Sequence, residues 1–165
     1  MRCPPWKHAE MTWRIRPARE DDVPKIKVIE EVSFPRPWDE DLFRIIGAWR
    51  GSVPIEHNRL ISMNVAESNE EVLGYVVWEE DMGSKAGHIL NIAVRAENRR
   101  QGLGMALLNH AFDLLRKHEI KSCRLEVRPS NRAARCLYER AGMATLHVES
   151  GYYSGEDAIV YGIEL

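Results

Sequence analysis

The chain has 165 residues and a mass of 19.0 kDa, which is most simply one domain with one hydrophobic core. Lys and Arg number 23 against 25 Asp and Glu, and this net charge of -2 argues against a general nucleic-acid binder, so any basic site must be local. The cysteines form no C-x-x-C pair, so we expect no zinc site. No apolar run approaches the roughly 20 residues that cross a bilayer, so we expect no membrane segment. The start of the chain lacks the apolar core of a signal peptide, and we expect a cytoplasmic location.

The first part of the chain predicts an extension, a strand and a helix. Residues 1–11 contain two adjacent prolines and no periodicity, so we expect a dispensable extension before a single domain over 12–165. A strand is predicted at 13–16. Acidic residues followed by an apolar stripe of Val23, Ile26, Ile29 and Val32 predict a helix over about 21–32.

The segment that follows this helix is predicted to be a loop. Pro35 and Pro37 remove backbone donors and disfavour helical geometry at Phe34 and Arg36, and we interpret the segment through Trp38 as a binding wall. Asp39 is then the predicted cap of a second short helix that stops near residue 51. A loop is predicted from there to about residue 58, followed by a hairpin of strands at 60–67 and 72–79.

Residues 88–117 predict a strand, a glycine turn and a long helix. Alternating apolar residues end at Val94, and a basic turn with Arg99 and Arg100 leads to Gly102 and Gly104. The apolar face of the following helix consists of Leu107, Leu108, Ala111, Phe112, Leu114 and Leu115. Glycines at a helix start let the backbone approach a ligand, and the N-terminal N–H groups and helix dipole favour an anion. The stretch predicts an anion site, with a ligand-free capping turn as the alternative.

The last part of the chain completes a mixed α/β fold. A strand is predicted at 122–128, a helix at 131–141, and two strands at 145–150 and 158–165 around a turn at 151–157. Because a long helix joins the central strand to the strand at 122–128, these two strands should run parallel. The predicted architecture is therefore a mixed sheet with one crossover and about four helices, rather than a doubly wound sheet.

Two side chains in this last part are candidates for acid–base chemistry. Glu126 lies on the face of its strand opposite Leu125, and it could instead pair with neighbouring arginines. Asn131 and Tyr138 are nearly two helical turns apart, so they share one helix face. For Tyr138, a packing role in the core is the alternative.

Several segments resemble the GNAT superfamily of acetyl-CoA-dependent N-acetyltransferases. Arg99-x-x-Gly102-x-Gly104 resembles its pyrophosphate-binding signature R/Q-x-x-G-x-G/A. The block LEVRPSNRAARCLYERAGM, the closing GYYSGEDA and the loop SFPRPW resemble the RimI-like N-terminal acetyltransferases within it. Met143 stands where an aromatic residue is usual, a departure that concerns packing more than catalysis. The likeness extends over about residues 13–165.

The resemblance implies a fold, a co-substrate and a set of site residues. The implied fold is a mostly antiparallel mixed sheet whose central parallel pair is splayed around acetyl-CoA, and no metal is implied. Glu126 is implied as the general base and Tyr138 as the general acid. The implied acetyl-CoA contacts are Ile92, Ala93, Val94, Arg99, Arg100, Gln101, Gly102, Leu103, Gly104, Met105, Asn131 and Tyr138. The implied acceptor contacts are Phe34, Pro35, Trp38, Tyr152 and Tyr153.

An α-amino group has a reference pKa near 7.7–8.0, so it must lose a proton before it attacks a thioester. We therefore expect direct transfer to the N-terminus of a protein or peptide, with a ribosomal protein among the candidate acceptors. Neither nucleic acid nor membrane is an expected partner, and the oligomeric state is left open. Two other hypotheses stay open at this point: acetylation of a small amine or an internal lysine, and a non-catalytic acyl-CoA-binding module.

Overall fold

The computed structural model describes residues 12–165, so the predicted extension at 1–11 lies outside the described residues. These residues form one mixed sheet with helices on both faces. The strands are β1 (Arg14–Pro17), β2 (Ser52–Ile55), β3 (Arg59–Ser68), β4 (Glu71–Asp81), β5 (Ala86–Val94), β6 (Ser122–Val127), β7 (Ala144–Tyr153) and β8 (Glu156–Glu164). Their order is β1-β3-β4-β5-β6-β8-β7, with β2 paired to β3. Only β5 and β6 pair in parallel among these strands, which confirms the predicted fold class.

Four helices connect the strands. They are α1 (Val23–Ser33), α2 (Glu40–Ala48), α3 (Leu103–Lys117) and α4 (Arg132–Arg140). The carboxylate of Asp39 accepts the Asp41 N–H at 3.0 Å and so caps α2, as predicted. The side chain of Asn131 likewise accepts the Ala134 N–H at 3.1 Å and caps α4.

The core has two parts because both faces of the sheet are covered. Alternate residues of β4 enter opposite parts: Val76 and Trp78 pack with α3, whereas Tyr75 and Val77 pack with α1 and α2. The predicted apolar face of α3 is confirmed, since Leu107, Leu108, Ala111, Phe112 and Leu115 are buried and Leu114 is partly buried. In α1, however, Val32 is 70% exposed and does not belong to the stripe that Val23, Ile26 and Ile29 form.

Two predicted loops are wrong because strand pairing extends into them. The segment predicted as loop to residue 58 contains β2, which pairs antiparallel with β3 from Ser52↔Ser62 to Ile55↔Arg59. Its Pro54 is tolerated because β2 pairs only with β3 and therefore lies at an edge. Similarly, β7 runs through Tyr153, so the turn predicted at 151–157 is much shorter.

No helix in the described part of the chain is long and apolar enough to span a membrane.

Candidate active site

The site lies where β5 and β6 separate. These strands pair only from Ala86↔Ser122 to His88↔Arg124, although β5 continues to Val94 and β6 to Val127. Beyond His88, the backbone groups of β5 that point away from β4 face a gap instead of a neighbouring strand. Two cavities adjoin this gap, and Ile92 of β5 lines both of them.

The first cavity, of about 470 Å³, lies at the N-terminus of α3. Its lining includes ten of the twelve predicted acetyl-CoA contacts: Ile92, Ala93, Val94, Arg99, Arg100, Gly102, Gly104, Met105, Asn131 and Tyr138. The other two point elsewhere. Gln101 donates its side-chain amide to the Glu97 carbonyl at 3.1 Å, and Leu103 is buried in the core. The tertiary structure thus brings together most of this set, which the sequence spreads over three elements.

The start of α3 leaves its first N–H groups available. Gly102 has a φ of 89°, a conformation that favours glycine, and its carbonyl accepts the Ala106 N–H at 3.0 Å. The N–H groups before Ala106 have no intrahelical acceptor, so they remain free to donate to an anion at the positive end of the helix dipole. A Cβ on Gly104 would lie 3.3 Å from the Leu137 side chain, a tight contact that Leu137 would have to shift slightly to accommodate.

The two arginines before this helix differ in their surroundings. Arg99 donates Nε to the Val94 carbonyl at 2.8 Å and a terminal nitrogen to Ser33 Oγ at 3.1 Å. It therefore ties the end of β5 to the end of α1, besides lining the cavity. Arg100 has a φ of 60°, a conformation that is uncommon for a residue with a side chain.

The second cavity, of about 340 Å³, lies between the loop after α1 and the end of β7. All five predicted acceptor contacts line it: Phe34, Pro35, Trp38, Tyr152 and Tyr153. The two walls meet where Arg36 donates to Ser154 Oγ at 2.6 Å. The two tyrosine rings pack edge to face with centroids 5.0 Å apart. An aromatic wall of this kind limits the size of what enters.

Tyr138 belongs to the lining of both cavities. Its side chain is 6% exposed, and its ring lies 6.0 Å from that of Tyr161. Burial, with a smaller contribution from Tyr153, raises the pKa of Tyr138 above its usual value. The hydroxyl therefore stays protonated at neutral pH and can act as a proton donor.

Glu126 lies in the second cavity with its side chain only 8% exposed. The Nε2 atom of His88 donates to its carboxylate at 2.5 Å, and Arg124 lies 3.4 Å from the other oxygen. Burial alone would raise the pKa of Glu126, but the hydrogen bond from His88 and the charge of Arg124 lower it below its usual value. The predicted pairing with a neighbouring arginine is present, and the carboxylate is also ionised and faces the cavity.

His88 and Glu30 are two site residues that sequence reasoning missed. Glu30 is 1% exposed and accepts hydrogen bonds from the Tyr75 hydroxyl, the Asn91 amide at 3.1 Å and the Trp38 backbone N–H at 2.9 Å. The position of Glu30, four residues after Ile26 on the buried side of α1, was a signal in the sequence. His88 gave no such signal, because its contact depends on the register between β5 and β6.

The tyrosines of β7 also respond to the charges of the site. Burial and the carboxylate of Glu126 raise the pKa of Tyr152. Burial and the neighbouring Tyr152 raise the pKa of Tyr153 to about 12, and the guanidinium of Arg128 lies 4.0 Å from the centre of the Tyr153 ring. Both hydroxyls are therefore neutral hydrogen-bonding groups at physiological pH. Within residues 12–165, no group of three or more His, Cys, Asp or Glu is placed to hold a metal ion.

Comparisons with known proteins identify related sequences and a similar fold. The family model described as Acetyltransferase (GNAT) family matches residues 23–143. The ribosomal protein bS18-alanine N-acetyltransferase of Escherichia coli (strain K12) is 30% identical over 148 residues, which are 87% of this chain and 92% of that protein. An N-alpha-acetyltransferase of Sulfurisphaera tokodaii is 31% identical over 167 residues, covering 93% of each. The crystal structure of the ribosomal-protein-S18-alanine N-acetyltransferase from Escherichia coli has a TM-score of 0.77 at 29% identity, covering 93% of this chain and 94% of that one.

Proposed function

Because the chain belongs to the GNAT family of acetyltransferases, we propose that it acetylates the N-terminal α-amino group of a protein or peptide. Transfer of an acetyl group from acetyl-CoA to an amine is the activity of the enzyme class to which it belongs. One observation carries the choice of acceptor: the cavity at the start of α3 shares Tyr138 with an aromatic-walled cavity that holds an ionised carboxylate. Since both linings include Tyr138, a thioester in one cavity and an amine in the other meet beside it.

In this proposal the first cavity holds acetyl-CoA. The open N–H groups at the start of α3 and the charge of Arg100 bind the pyrophosphate, and Gly104 keeps the approach clear of a side chain. The gap between β5 and β6 receives the pantetheine arm, and backbone N–H groups at 92–94 stabilise the oxyanion that forms at the thioester carbonyl.

Glu126 acts as the general base in this proposal. Its lowered pKa keeps the carboxylate ionised under conditions where the acceptor is an ammonium ion, so it takes the proton directly or through a water molecule. His88 is a positioning residue, since its hydrogen bond fixes the carboxylate and favours the charged form. The freed amine then attacks the thioester carbonyl carbon and forms the new C–N bond.

Tyr138 acts as the general acid. When the C–S bond breaks, the thiolate of coenzyme A receives the phenolic proton, which the raised pKa of Tyr138 keeps in place until then. No covalent acetyl-enzyme is needed, because amine and thioester are held side by side.

The walls of the second cavity favour an α-amino group over a lysine side chain. Tyr152 and Tyr153 offer neutral hydroxyls for the first peptide groups of the acceptor, while Phe34 and Trp38 limit the first side chain. The relatives named for ribosomal protein bS18-alanine make a ribosomal protein N-terminus the first acceptor to try. The cytoplasmic location expected from the sequence stays a prediction.

A pair of peptides tests the acceptor. One has a free N-terminus and no lysine, and the other has the same sequence with a blocked N-terminus and one internal lysine. We expect mass spectrometry to find α-acetylation of the first and far slower modification of the second. Comparable rates for the two would overturn the N-terminal assignment and leave the acetyltransferase chemistry in place.

A further inference from the structure

Four charged side chains line the second cavity, which we call the acceptor cavity, and three of them have charged or multiple polar partners. Glu30 is held by Tyr75, Asn91 and the Trp38 N–H. Glu126 is held by His88 and Arg124. The third, Arg128, lies 3.2 Å from the carboxylate of Glu156 and against the Tyr153 ring.

Arg36 is the exception. It donates to the neutral hydroxyl of Ser154 at 2.6 Å, and no carboxylate among the described residues lies within salt-bridge distance of it. A guanidinium offers five donors in a planar fork that matches a carboxylate, and one hydroxyl uses only part of them. The cavity therefore presents one cation whose charge no carboxylate among residues 12–165 neutralises.

The backbone holds Arg36 in this position. Pro35 and Pro37 flank it, so its own conformation is restricted to extended geometry and the loop loses little further freedom when a ligand binds. The bond to Ser154 also fixes the side chain across the cavity, from the loop after α1 to the turn after β7.

Depth in the cavity indicates which part of an acceptor meets Arg36. The Glu126 side chain is 8% exposed and marks the inner end, where the amine must lie, whereas Arg36 is exposed and lies at the mouth. An extended peptide advances about 3.3–3.6 Å per residue. With its α-amino group beside Glu126, its second and third residues leave through the mouth.

We infer that Arg36 selects acceptors that carry an acidic side chain at the second or third residue. The inference rests on the proposed N-terminal acetylation and names the acceptor class of that same site. An aspartate or glutamate there forms a charge-assisted hydrogen bond with the guanidinium, and a lysine there is repelled. Exposed ion pairs contribute about 0.2–1 kcal/mol, so the advantage in kcat/KM over the uncharged amide is about 1.4- to fivefold.

Six peptides that share one first residue and differ only at position two or three test this inference. At each of the two positions, the peptides carry aspartate, asparagine or lysine. The wild type should prefer aspartate to asparagine and asparagine to lysine at one or both positions, and added salt should reduce the preference. Arg36→Gln should accept the three at equal rates, and Arg36→Glu should reverse the order. Arg116→Gln, an exposed arginine paired with Asp113 at 3.0 Å on α3, is the matched control and should retain the wild-type order.

Ser154→Ala tests whether Arg36 acts by its charge or only by the hydrogen bond that joins the two walls of the cavity. This variant removes the hydrogen-bond partner of Arg36 and leaves the charge of Arg36 unchanged. The ratio of the acetylation rates of the aspartate, asparagine and lysine peptides should therefore persist, even if all the rates change together. Equal rates for aspartate and asparagine peptides at both positions in the wild type, or a preference that survives Arg36→Gln, would overturn the inference. In that case α-acetylation of all six peptides would still support the proposed function. Absence of α-acetylation from all of them would overturn both.

Discussion

Replacing Tyr138 by phenylalanine should separate the chemistry of this side chain from its packing. The ring is 6% exposed and packs against Tyr161 with centroids 6.0 Å apart, and phenylalanine retains this contact. The variant loses one hydroxyl, so the free energy of unfolding should fall by no more than about 1.5 kcal/mol. In a domain of this size, each 1 kcal/mol lowers Tm by roughly 2–4 °C.

The catalytic loss should be much larger than this loss of stability. Removal of a general acid typically costs about 10²- to 10⁴-fold in rate, which corresponds to roughly 2.7–5.4 kcal/mol in the activation barrier. Release of coenzyme A followed with a thiol reagent, together with mass spectrometry of the peptide, gives kcat. Calorimetry with acetyl-CoA should show nearly unchanged affinity, because the hydroxyl acts on the leaving group.

Tyr161→Phe is the matched control. Tyr161 is 1% exposed and its hydroxyl donates to Glu139 at 2.7 Å, but it lines neither cavity. Its loss of stability should equal or exceed that of the Tyr138 variant, with turnover near that of the wild type. If both variants lost turnover to the same extent, or if Tyr138→Phe retained a third of wild-type activity, the assignment of the general acid would be refuted.

Two further variants test the other assignments. The acetylation rate of Glu126→Gln should fall further below that of the wild type as the pH drops from about 9 to about 6. The reason is that the lowered pKa of Glu126 keeps the wild-type base ionised while the acceptor amine becomes protonated. Rate-versus-pH profiles of identical shape would argue against a base at this position. Gly102→Val places a branched side chain at a φ of 89° and should weaken acetyl-CoA binding in calorimetry, whereas Gly155→Val, at a φ of 87° in open space outside both cavities, should not. Equal affinities in the two folded variants would remove the basis of the pyrophosphate assignment.

The sequence by itself determined most of the elements and much of the lining of the two cavities. The glycine turn before α3 could be predicted because two glycines, a preceding basic turn and a helix with one apolar face are all local signals. The separation of Glu126 from the core could be predicted for the same reason, since alternate residues of a strand point to opposite faces. The loop after α1 was predicted from its prolines, which restrict their own backbone and that of the residue before them.

Only the tertiary structure decided which of these side chains contact each other and whether the pKa of each is raised or lowered. The hydrogen bond that lowers the pKa of Glu126 depends on the register that places His88 beside β6, and the buried contacts of Glu30 depend on how α1 packs on β4 and β5. Strand β2 was missed because its pairing with β3 stabilises a segment that its own proline disfavours. The contact of Arg36 with Ser154 joins two turns far apart in the chain. Local preferences determine the geometry of each segment, but contacts over long sequence separations depend on the whole fold, because packing selects the register and the neighbours.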